Sequence, residues 1–236
     1  MDFAFVRFRE EVPPPLEKAA IGLISRRRVS NQLLSVLKVP EGLKDTQYGV
    51  EQVADEIRRM LGVYRGPIYD PALAADDAGV EVYDWSYPRS NSAVSVRFGY
   101  AIFRSEISTS YDIMFEFTSI VLNGMSYGKG VSMKDEAFAR KVAGAVLLPK
   151  SEIQRELGTN RPLGYLDERV VAYFSVKYNL DTEVTIRRLI AAGAVLPMVA
   201  DLADLGKAKE LARTLGRENA RRSYLMEAIS GDLLTR

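Results

Sequence analysis

Apolar residues recur at intervals of three and four along most of this chain, and that spacing predicts helices. Leu16, Ala20, Leu23 and Ile24, then Leu33, Leu34 and Leu37, trace a helical stretch over Leu16–Val39, set off by Pro13–Pro15 and interrupted by Arg26–Arg28. A second helix fits Val50–Val63, with Val53, Ile57, Met60 and Leu61 on one face and Gly62 as its stop. The texture then changes: Val80, Val82 and Tyr83 follow Gly79 as a strand, and "SAVSVRFGYAIFR" alternates as one or two strands joined near Gly99. Thr109 and Asp112 form a T-x-x-D capping box ahead of a very apolar helix carrying Tyr111, Met114, Phe115, Thr118, Val121 and Leu122. The small residues Ala137, Ala139, Ala143, Gly144 and Ala145 mark a further helix, stopped by Pro149, that can approach it closely. Two short helices around "KYNLDTE" make a helix–turn–helix-like module, and the tail from Asp201 is helical again.

This order predicts an α+β fold: a small sheet packed on helices, then a helix–turn–helix-like module and a helical tail. The divisions expected are a helical arm over 1–45, a core domain over 46–155 and a helical region over 156–236. An apolar fraction of 47% in 236 residues suffices for a sizeable core. The net charge of +1 gives no general attraction to nucleic acid or anionic lipid. Without an apolar run of about 18 residues or a signal-peptide pattern, the chain reads as cytoplasmic, with no membrane partner.

Two absences restrict the chemistry. The chain has no Cys and no His. Thiolate nucleophiles, zinc–thiolate sites and imidazole acid–base work are therefore excluded. Carboxylate metal binding, Lys or Ser/Lys chemistry, or no catalysis remain. Within the apolar helix one residue stands out: Glu116, between Phe115 and Phe117. Glutamate ordinarily keeps its carboxylate in water unless paired, so the plain expectation is a solvated or hydrogen-bonded group on the less apolar side.

Several strings between Val50 and Leu196 resemble the ImmA/IrrE family of zincin-like metallopeptidases. "SYDIMFEFTSIVL" lies without a gap on a family pattern like RFTLAHELGHLLL, and "FARKVAGAVLLP" lies on one like EANRFAAELLMP. "AYFSVKYNLDTEVTIRRL" loosely meets a third pattern, A-x-x-F-x-V-S ending in R-L, while "ADEIRRMLGVYRGPIYD" and "AGVEV" look like the family's leading helix and first strand. The resemblance implies a zincin-like fold, and it places the general-base glutamate on Glu116. It places the two histidine ligands on Phe115 and Ser119 and the glutamate ligand on Phe138. None of those three can hold zinc, so the resemblance implies a pseudoenzyme with no metal or other cofactor, in which Glu116 is vestigial. Ser119 is then an ordinary helix residue bonding its own backbone, and Phe115 and Phe138 are core aromatics touching across two helices.

Three functions compete. The family setting implies a non-catalytic regulator in transcriptional, stress or mobile-element control that binds a protein partner such as a repressor, with "AVSVRFGYAIF" as a strand able to capture an extended peptide. The second is a DNA-binding regulator using the paired helices. Arg187 and Arg188 lie in the second of those helices, and Lys209, Arg213, Arg217 and Arg221 form a stripe along the tail, balanced by Glu210 and Glu218. The third is an enzyme with an oxygen-ligand metal cluster drawn from Asp112, Glu116, Asp135 and Glu136, whose spacing fits no known metal loop.

Overall fold

The computed structural model describes Lys18 and residues 37–85, 92–96, 99–105, 108–123, 132–159 and 161–217. Arg26–Arg28, Arg221, Glu218 and most of the Leu16–Val39 stretch lie outside the described residues; Lys18 is helical, but 37–40 are not. The fold is α+β, in two compact units, Met1–Glu152 and Ile153–Arg236.

In the first unit a short helix α1 (Glu41–Lys44) leads into α2 (Gln47–Met60), whose N-cap Thr46 accepts the Gly49 N–H through its side chain. The capping chemistry starts α2 three residues before the first apolar position of the predicted stretch. It ends as expected at Gly62, where φ of +70° suits glycine. Gly49 is needed for a second reason: a Cβ there would lie 2.1 Å from the Leu43 carbonyl oxygen. Gly49→Ala is therefore expected to cost about 2 kcal/mol through overpacking, more than its helix-propensity gain, as a lowered urea midpoint.

Sequence reading misses helix α3 (Pro71–Asp77), although its signal is local: Asp70 caps it by accepting from the Ala72 and Leu73 N–H groups, and Pro71 occupies the first turn. Strands β1 (Val80–Trp85), β2 (Ser92–Val96) and β3 (Gly99–Ser105) form a sheet of order β1-β3-β2. β1 pairs with β3 in parallel and β2 with β3 antiparallel. Of the proposed peptide-capturing stretch, β3 is thus central, and only β2 sits at an edge. In-register Tyr83 and Phe103 stack with ring centroids 5.4 Å apart.

The core helices are α4 (Ser110–Asn123) and α5 (Met133–Leu147), which pack on each other; α2 packs on α5, while α3 and the sheet cover α4. The expected capping box is present, the Thr109 N–H and hydroxyl donating to Asp112 at 2.9 and 2.8 Å and the Asp112 N–H to the Thr109 hydroxyl at 3.2 Å. Helix α6 (Lys150–Leu157) follows Pro149.

In the second unit, α7 (Glu168–Lys177) and α8 (Thr182–Ala191) are joined by the turn 178–181 and pack together, with a buried Ser175–Thr185 hydroxyl hydrogen bond of 3.0 Å. A short α9 (Pro197–Ala200) and a helix over 205–217 follow among the described residues. Glu156 accepts the Tyr173 hydroxyl at 2.6 Å and pairs with Lys177 at 2.9 Å; the first of these, aided by Lys177 and Arg155, holds its carboxyl down to about 2. A depressed carboxyl stabilises the fold fully above its unfolded value of 4.5, and that contribution is lost as pH falls through about 2. Glu156→Gln is expected to flatten the acid limb of the stability profile in that window, by less than about 1 kcal/mol because the group is solvent-screened. Urea titrations from pH 6 to 2 check it.

Candidate functional site

Helix α4 is enclosed on every side from Ile113 to Val121, and this decides the surroundings of the candidate residues. A helix apolar all round is a core helix. Phe115 and Phe138 are each 3% exposed and Ser119 6%; Glu116 is 1% exposed. Of the two surroundings expected for Glu116, solvated or hydrogen-bonded on the less apolar side, the solvated one is corrected: Glu116 is a core residue, engaged there by a polar or charged group. Burying a carboxylate is costly unless it is paired or hydrogen-bonded, so Glu116 is constrained by the core itself.

Contacts across the α4–α5 pair place the other three. Phe115 and Ser119, four apart, share one face of α4. Toward the start of α4, the Tyr111 hydroxyl donates to the Arg140 carbonyl at 3.0 Å and the Arg140 guanidinium lies 4.5 Å from the centre of the Phe115 ring. Arg140 is also paired with Glu136 at 2.8 Å. Toward the end of α4, Leu122 and Phe138 share the wall of one cavity. Phe115 therefore faces α5 through Arg140, and buried Ser119, one turn on, shares its face of α4, while Phe138 is buried on α5. At Phe115 the seam where α4 meets α5 carries a guanidinium on an aromatic face, a cation–π arrangement.

The carboxylates of the third function do not converge. Asp112 is engaged in its capping box, Asp135 binds Lys44 at 2.7 Å and Ser132 at 2.7 Å, and Glu136 holds Arg140. Among the described residues no group of three or more acidic side chains could hold a metal ion. The Lys44 hydrogen bond holds the Asp135 carboxyl below its ordinary value, and the same bond raises Lys44.

That cavity, of about 260 Å³, is bounded by Leu37, Lys38, Val39 and Lys44 on one side and by Leu122, Asp135 and Phe138 on the other. The Leu37 N–H donates to the Val121 carbonyl at 3.0 Å, satisfying an acceptor in the last turn of α4.

No family model matches the chain, and no curated protein matches it. Among solved structures it is similar to a Mycobacterium tuberculosis transcriptional regulator, at 18% identity and a TM-score of 0.40 over 64% of this chain. The match spans about half of that protein, 51% of its length. A likeness of this size carries no argument about function.

The basic residues proposed for nucleic acid are separated by their burial. Arg187, Arg213 and Arg217 are exposed, but Arg188 is 4% exposed and belongs to the core of the second unit. That corrects its reading as a DNA contact. Lys209 is paired with Glu183 at 2.8 Å, which partly neutralises the stripe. Arg213 and Lys209 line an open cavity of about 580 Å³ with Asp181 and Thr182, beside the α7–α8 turn. Among the described residues no helix is long and apolar enough to cross a membrane.

Sequence reading misses a buried polar cluster under α2. Arg58, 4% exposed, donates to the Val146 and Gly66 carbonyls, both at 2.6 Å, and the Gly66 N–H donates to buried Glu152 at 3.1 Å. Its signal is faint: one arginine among the apolar positions of α2, four residues from Ala54 on the same face.

Proposed function

We propose that the first unit is a degenerate ImmA/IrrE-like, zincin-like scaffold without peptidase activity, acting in the cytoplasm as a regulator that binds a protein partner such as a repressor. The observation that carries this reading is the α4–α5 seam. The three positions that the resemblance assigns to metal ligands are two buried phenylalanines and a buried serine on α4 and α5, and Arg140 supplies a positive charge beside Phe115. Zinc needs imidazole, thiolate or carboxylate donors, and phenylalanine offers none. Glu116 would act as a base only on a metal-polarised water, so in this reading it serves packing and electrostatics rather than hydrolysis. The position of β2 at an edge of the described sheet suits an extended peptide that adds by backbone pairing. Incubated with zinc, a repressor-type partner should remain full length while forming a stoichiometric complex by size exclusion. Its cleavage would overturn the reading.

A second reading, duplex DNA binding by the second unit, is favoured by one arrangement. Arg213 faces the cavity at the start of α8, where Thr182 is buried with its hydroxyl unpartnered. Phosphate contacts release counterions, so this reading requires binding that weakens steeply with salt and is lost in an Arg187→Ala/Arg213→Ala/Arg217→Ala variant. Salt-independent or absent binding rejects it.

A further inference from the structure

The segment before α2 lies across the end of the α4–α5 seam, and nothing from Leu37 to Tyr48 is fully buried. It is held by polar contacts at three places. At Leu37 it is fixed by the N–H on the Val121 carbonyl. Its middle is fixed by Lys44, 19% exposed, on Asp135, 28% exposed, at 2.7 Å, with Lys134 bound to Asp45 at 2.9 Å. Its base is fixed at α2, where the Thr46 hydroxyl donates to the Leu43 carbonyl at 3.0 Å and Leu43 abuts Gly49. Beneath it, with the segment in place, Val121 and Phe138 are 0% and 3% exposed.

The fit is loose where it crosses the seam. Protein interiors are close-packed, yet the cavity of about 260 Å³ separates Leu37–Val39 from Leu122 and Phe138. A segment that belonged to the core would fill that space with side chains. Here an extended stretch with half-buried Leu37 and Val39 spans it, followed by a lysine that meets the acidic residue at the rim.

We propose that Leu37–Lys44 is a displaceable strap, hinged at Leu43–Gly49, which occupies a groove formed by Val121, Leu122, Asp135 and Phe138. The proposal rests on the reading of the α4–α5 pair as a partner-binding scaffold, and supplies its regulation: a partner reaches the groove by displacing the strap. The strap's own chemistry defines what the groove accepts, an extended segment with two apolar side chains one residue apart and a basic residue farther along.

The chain has no cysteine, so Val39→Cys introduces a single thiol into the 236-residue protein. Its alkylation rate reports release of the strap, and urea unfolding of each variant reports whether the fold is intact. Adding Lys44→Ala or Asp135→Asn is expected to raise the rate about fivefold, the scale of one partly exposed ion pair, as is raising the salt. A fluorescein-labelled peptide of residues 35–45 then separates the two variants. It should bind the Lys44→Ala protein, where Asp135 remains for the peptide's lysine, about fivefold more tightly than the Asp135→Asn protein. An alkylation rate unchanged by both substitutions, or peptide binding indifferent to Asp135, overturns the strap. Neither readout uses a metal or a partner protein, so failure here is distinct from failure of the scaffold reading.

Discussion

The triple variant Phe115→His/Ser119→His/Phe138→Glu is expected to bind one zinc ion per chain. Residues 115 and 119 present their side chains from one face of α4, and 138 lies on the facing helix, so the substitutions put two imidazoles and a carboxylate into a buried seam. Without metal the variant should lose about 2–4 kcal/mol, because polar groups replace two core rings. Zinc should restore that loss, since binding to the folded state alone is folding free energy. Arg140 opposes the site, its guanidinium 4.5 Å from the Phe115 ring centre, and Arg140→Gln should strengthen metal binding by removing a like charge. Thermal unfolding with and without zinc reads both effects. A variant that folds but gains nothing from zinc means that the seam lacks zincin geometry.

Arg58→Ala should be the most damaging single substitution in the first unit, at about 3–5 kcal/mol. The guanidinium joins three parts of the chain, accepted by Val146 at the end of α5 and by Gly66 in the loop after α2. Removing it leaves two inward carbonyls without their donor and deprives the Gly66 loop, itself held by Glu152, of its second anchor. Arg58→Lys should recover little, because an ammonium cannot reproduce the planar fork that reaches two acceptors. Urea unfolding with an unchanged slope and a lowered midpoint is the expected record.

The elements that were legible in the sequence are those with local causes. The Thr109–Asp112 box and the Gly62 stop depend on neighbours within a turn, and both are found as read. Helix α3 has an equally local signal in Asp70 and Pro71, but its seven residues give no full apolar period. What the sequence conceals is which faces the rest of the fold covers. Glu116 and Arg188 have charges that suggest water, yet each sits at 1% or 4% exposure because neighbouring elements close over them. The same blindness hides the Arg58 cluster, whose partners lie 8 and 88 residues away along the chain. Burial of Phe115 and Phe138 was legible, since aromatic rings at helical spacing tend inward. The guanidinium against Phe115 was not, because it arrives from a separate helix.

Zinc content of the unsubstituted 236-residue chain tests the account most directly. The protein would be prepared without a histidine tag or chelator, equilibrated with excess zinc, desalted and measured by elemental mass spectrometry. With phenylalanine, serine and phenylalanine at the three positions that the resemblance assigns to ligands, the account predicts no retained zinc. One tightly held zinc per chain would contradict it and return Glu116 to the role of a catalytic base.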